Sequence, residues 1–118
     1  MKKTTIIIIV GILLISIIGY KITGGIINKG PGKYDDFAQC LTDNEIIMYG
    51  TDWCPHCKDQ KKLFGNSFEF VHYIDCDWNK NLCLNEGIKG YPTWKINGES
   101  YPGSQSLERL SELSGCEL

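Results

Sequence analysis

Cys54 and Cys57 stand two residues apart in Trp53-Cys54-Pro55-His56-Cys57. Their sulfurs can close a small disulfide ring and open it again, which is redox chemistry. The reacting form of a cysteine is the thiolate. An ordinary thiol with a pKa of roughly 8.5 is only about 3% thiolate at pH 7, and a helix N-terminus or a neighbouring histidine raises that share. The assignment that follows makes Cys54 the attacking sulfur and Cys57 the one that resolves the mixed disulfide, with Trp53, Pro55 and His56 shaping the site. Stabilising the anion also stabilises the reduced form, so Pro55-His56 points toward a site that passes its disulfide on.

The elements around this pair must bring Cys54 to a helix start. Ile46-Ile47-Met48-Tyr49 reads as a buried strand, Gly50-Thr51-Asp52 as a turn, and Lys58 to Phe64 as a helix that stops at Gly65-Asn66. Upstream, Phe37, Cys40 and Leu41 share one face of a short helix whose first turn carries Asp35 and Asp36. Downstream, Ser67 to Asp75 alternates as a second strand that includes His72 as a strand residue, and Trp78 to Glu86 is a short helical or irregular segment. Asn97-Gly98 between apolar runs marks a hairpin. Leu107, Leu110 and Leu113 line a last helix, with Ser104 or Ser106 as its cap and Gly115 as its stop. The order α, β, α, β, α, β, β, α predicts an α/β fold: a parallel pair joined to an antiparallel hairpin in a mixed four-stranded sheet, with helices on both faces. Trp78 and Trp94 are packing residues in this reading.

The chain has 118 residues, of which 34–118 suffice for one small domain. That part carries seven Lys or Arg against fourteen Asp or Glu, a net charge of −7 that argues against a nucleic-acid partner. Six cysteines in so short a chain favour an oxidising compartment. Residues 1–22 contain ten isoleucines and leucines between Ile6 and Ile18 behind Lys2 and Lys3, which predicts one N-terminal transmembrane helix as a retained anchor, with a cleaved signal peptide as the rival. Residues 23–33, with Gly24, Gly25, Gly30, Pro31 and Gly32, read as a flexible linker. The expected placement is a single-pass membrane protein with its domain on the extracytoplasmic side, or a secreted one if the segment is removed.

With Tyr91-Pro92-Thr93 ahead of a hairpin and Trp53-Cys54-x-x-Cys57 after the first strand, the chain resembles the thioredoxin superfamily. The resemblance implies a thioredoxin-like fold, a cis Pro92 beside the active disulfide, a Tyr91 backbone open to a client strand, and no cofactor beyond the redox-active disulfide. A narrower likeness, in Phe37-Ala38-x-Cys40-Leu41, Met48-Tyr49-Gly50, Leu63-Phe64-Gly65, Cys76, Cys83, Tyr91-Pro92-Thr93-Trp94 and Leu113-Ser114-Gly115-Cys116, is to the thioredoxin-like domain of bacterial and plastid vitamin K epoxide reductase homologues. It implies protein thiols as clients and a quinone-linked membrane oxidoreductase as partner. That partner's helices are not in this chain, which the likeness makes a stand-alone version. Cys-Pro-His-Cys is also the motif of DsbA-like oxidases, whose inserted helical domain finds no room here. Thioredoxins carry an acid six positions before the first cysteine, where this chain has Met48; proton transfer at Cys57 then falls to water, His56 or Asp52.

The remaining four cysteines allow three pairings. Cys76 and Cys83 sit across one strand-to-helix corner and Cys40 and Cys116 on the first and last helices, so Cys76–Cys83 and Cys40–Cys116 are the expected disulfides, either structural or as an electron relay. Two rivals from other classes stay open: a zinc site from Cys54, Cys57, Cys76 and Cys83, against which the spacing of the second pair speaks, and a tethered module that binds clients at Tyr91-Pro92 without chemistry.

Overall fold

A computed structural model describes residues 2–22 and 30–118, with the side chains of 15–22 outside the description. The elements are α1 (Lys2–Ile22), α2 (Asp35–Asp43), β1 (Ile47–Gly50), α3 (Pro55–Phe64), a 3-10 segment (Gly65–Phe70), β2 (His72–Asp75), α4 (Lys80–Asn85), β3 (Thr93–Ile96), β4 (Glu99–Pro102) and α5 (Leu107–Ser114). The expected linker over 23–33 falls largely outside the described residues. Among the described residues no helix is long and apolar enough to cross a membrane; the structure thus gives no support to the transmembrane helix expected over 1–22, whose side chains it describes only as far as Leu14.

The four strands lie in the order β2-β1-β3-β4, with β1 parallel to β2 and antiparallel to β3, and β3 antiparallel to β4. This is the mixed sheet that the element order predicts. Alternation along β1 sends its side chains to two cores. Ile46 and Met48 join Phe37, Leu41, Phe64, Trp94 and Leu110, while Tyr49 joins Cys76, Cys83 and Ile88 behind the sheet. Trp94 is fully buried and Trp78 is exposed on the surface.

One expected element differs. Ser67 to Phe70 continues from α3 as a 3-10 segment, and the strand is only His72–Asp75. Helical spacing won over alternation here: Phe68, four residues after Phe64, packs edge-on against it at 6.0 Å and against Tyr73 at 5.7 Å. Buried Ser67 accepts the Tyr34 N–H at 2.8 Å. The Thr42 hydroxyl then fixes where β2 begins, donating to the Phe70 carbonyl at 2.6 Å and accepting the His72 N–H at 2.9 Å.

Gln60 ties α3 to the hairpin from inside the core. Its amide oxygen accepts from the Trp94 indole at 3.1 Å and the Gln105 N–H at 2.7 Å, and its nitrogen donates to the Gln105 carbonyl at 2.9 Å. A buried amide is tolerated because its partners are present. Ser106 caps α5 through the Arg109 N–H, and Gly115 ends it at φ 74°, a left-handed position that suits glycine.

Candidate active site

Cys54 is the N-cap of α3, in extended backbone, and its own sulfur is the capping acceptor, taking the Cys57 N–H at 3.2 Å. Pro55 fills the first helical position, where a missing N–H costs nothing. The motif therefore builds a helix mouth with an amide hydrogen aimed at the sulfur. On its other side Cys54 lies 3.6 Å from the Tyr91 carbonyl oxygen, toward which its thiol points. The Tyr91–Pro92 bond is cis. This loop is held twice, by the Thr93 hydroxyl on the Gly90 carbonyl at 2.8 Å and by the Gly103 N–H on the Pro92 carbonyl at 2.7 Å.

Cys57 lies deeper. Its residue is 0% exposed against 4% for Cys54, and neither sulfur is disulfide-bonded in this structure. Gly50 makes the space: a Cβ there would stand 2.8 Å from the Cys57 Sγ and 3.2 Å from the Tyr73 ring. Burial pushes the Cys57 thiol up to about 12, its hydrogen bond with Cys54 adds to this, and the Thr51 backbone N–H and the Lys61 charge work against it. Burial likewise raises the Tyr73 hydroxyl, with the charges of Asp75 and Asp52 contributing. Each raised group keeps its proton in the folded chain after the unfolded chain has lost it. Stability is then intact below a thiol's ordinary value of roughly 8.5 and declines as pH rises from there through about 12. Denaturant titrations of the reduced protein are expected to show this alkaline decline, and Cys57→Ala should make it shallower.

Trp53 is 63% exposed. Its indole donates to Asp77 at 2.8 Å, and its ring meets the Tyr91 ring edge-on at 6.2 Å, so an apolar wall stands beside Cys54. The His56 side chain is exposed on the first turn of α3, and its carbonyl accepts from Ser104 at 3.1 Å. His72 is an exposed strand residue away from these groups. Trp53, Cys54, Cys57, Tyr91 and Pro92 thus come together as one site.

Cys40 is bonded to Cys116 and Cys76 to Cys83. The second bond removes the zinc alternative, since two of its four thiolates are oxidised to each other. Among the described residues no group of three or more His, Cys, Asp or Glu side chains could hold a metal ion.

The thioredoxin family matches residues 31–113. The chain belongs to the thioredoxin family. It is 36% identical over 90 residues to thiol-disulfide oxidoreductase LTO1 of Arabidopsis thaliana, covering 69% of this chain and 24% of that protein. Protein disulfide isomerase-like 2-2 of Oryza sativa subsp. japonica is 34% identical over 87 residues, covering 61% of this chain and 23% of that one. The chain therefore spans about a quarter of the length of these relatives. Among solved structures, a mutant thioredoxin from Halobacterium salinarum NRC-1 aligns at 24% identity with a TM-score of 0.48, over 70% of this chain and 84% of that one.

This thioredoxin-family site also contains residues that the sequence reading passed over. Lys61 stands one helical turn beyond Cys57, a spacing of four that puts both on one face of α3. Tyr73 pairs with Met48 across the parallel strands. The i, i+4 relation to a cysteine was the available signal for Lys61; Tyr73 carried none, because its place depends on strand register.

Proposed function

We propose that this chain is a protein thiol–disulfide oxidoreductase in which Cys54 attacks and Cys57 resolves. One observation carries the reading: the Cys54 sulfur receives the Cys57 N–H at a helix mouth while facing the Tyr91 carbonyl beside cis Pro92. A donor aimed at sulfur stabilises charge there, and a neighbouring backbone edge can hold an extended client chain. The relatives named as a thiol-disulfide oxidoreductase and a disulfide isomerase support the same class.

The direction proposed is oxidising. Pro55-His56 between the cysteines and the N–H on Cys54 favour the reduced site, and a site that favours its reduced form gives its disulfide away. Two further disulfides fit an oxidising compartment outside the cytoplasm. The exposed apolar run from Ile6 to Leu14 supports attachment to a membrane, with protein thiols as clients and a quinone-linked oxidoreductase resembling vitamin K epoxide reductase to reoxidise the site. Equilibration with glutathione gives the potential of Cys54–Cys57. A value above about −200 mV is expected, and one below about −250 mV would make the protein a reductant, of the kind that serves cytochrome maturation.

A further inference from the structure

Resolution requires that Cys57 give up a proton inside a core with no acid at Met48, and the structure offers a charge in another place. The Lys61 ammonium lies 3.9 Å from the centre of the Tyr73 ring and 3.3 Å from the Asp52 carboxylate, with its side chain 26% exposed and that of Asp52 78% exposed. The edge of the same ring reaches the spot beside Gly50 that the Cys57 sulfur also borders. Sulfur, ring and ammonium thus stand in a row that starts in the core and ends at the surface. The Tyr73 hydroxyl is buried without a hydrogen-bond partner among the described residues, so these offer Cys57 no built proton relay through it.

We propose that Lys61, clamped over Tyr73 by Asp52, is a positioning residue for the resolving step, supplying the positive charge against which Cys57 ionises. The inference rests on the thiol–disulfide reading above. In the step, the Cys57 S–H bond breaks and its proton leaves to water on the Asp52 side. This is the step that reoxidises the site: the Cys57 sulfur bonds to the Cys54 sulfur as the bond between Cys54 and the reoxidising partner's sulfur breaks. The partner departs as a thiolate and takes a proton from solvent, so the two electrons lost by the cysteine pair are those the partner's disulfide gains. The charged and titratable groups acting on Cys57 are Cys54 and, on α3, Lys61, and those acting on Tyr73 beside it are Asp75 on β2, Asp52 in the turn before α3, Cys57 and Cys54; the loop before β3 presents the Tyr91 carbonyl to Cys54. Of these only Lys61 is positive, and its field favours the Cys57 anion.

The reduced full chain mixed with excess 5,5′-dithiobis(2-nitrobenzoate) separates the two sulfurs. Attack by Cys54 releases one thionitrobenzoate, and closure by Cys57 releases the second. Lys61→Gln is expected to leave the first release within about twofold and to slow the second about tenfold, with its pH profile moved to higher pH and with Lys61→Arg restoring it. Circular dichroism of Lys61→Gln matching the wild type shows that the variant is folded. A second-release profile for Lys61→Gln that superposes on the wild type, or both releases slowed alike, would overturn the proposal. Absence of the first release in the wild type would instead overturn the exchange reading on which it rests.

Discussion

Cys57→Ala is expected to convert this protein from a turnover catalyst into a trap. Attack by Cys54 on the disulfide that would reoxidise the site leaves a mixed disulfide, and without the Cys57 sulfur only outside thiols can release it. The helix mouth survives the change, because the donor to Cys54 is the backbone N–H of residue 57 and not its side chain. The lost sulfur leaves a small gap between Gly50 and Tyr73, which costs on the order of 1 kcal/mol, so the fold should persist. Non-reducing electrophoresis and mass spectrometry should find near-stoichiometric adducts on Cys54 in Cys57→Ala and none in a chain that also lacks Cys54. A Cys57→Ala chain that accumulates no adduct when offered a protein disulfide would fit a module that only holds its clients.

Removing the Cys40–Cys116 bond should have the largest effect on stability. The two cysteines are 76 residues apart and their bond closes nearly the whole domain, tying α2 to the segment just past α5. Loop-closure entropy assigns such a ring about 4 kcal/mol, against about 2 kcal/mol for the Cys76–Cys83 ring with its separation of 7. A small domain holds roughly 5–15 kcal/mol in all, so this one bond is a large share. Urea denaturation of Cys40→Ala with Cys116→Ala is expected to show that loss, while the paired change at Cys76 and Cys83 costs about half as much. A loss below about 1 kcal/mol for the first pair would mean that the denatured chain is already compact, or that α2 and α5 hold together without the bond.

The fold was largely legible because its signals are local. Asn97-Gly98 announced the hairpin, Ser104 or Ser106 with Gly115 bracketed α5, and the turn after Tyr49 put Cys54 at the start of α3, which begins at Pro55 and not at Lys58. The miss at Ser67–Phe70 came from reading Phe68 and Phe70 as alternating with Ile74 when Phe64 and Phe68 already stood one helical turn apart. Of the site, Trp53, the pair Cys54 and Cys57, and its partner Tyr91-Pro92 could be read from motif alone. The rest could not, because it depends on which residues the sheet register places together. Gly50 was read as a turn residue, yet it closes β1 and its missing side chain is what admits the Cys57 sulfur. Asp52 was legible only as one route for the Cys57 proton and Lys61 only by its spacing from Cys57; that the two meet over the Tyr73 ring depends on strand register. Gln60 had no sequence signal at all, since a buried glutamine is recognisable only by the partners that satisfy it.

The division of labour between the two sulfurs is open to one direct measurement. The reduced protein is treated at neutral pH with a single equivalent of iodoacetamide, and the modified peptides are mapped by mass spectrometry. Cys54, at the helix mouth beside Tyr91, should carry nearly all the label, with Cys57 unmodified beneath it. Label on Cys57 equal to or above that on Cys54 would contradict the account.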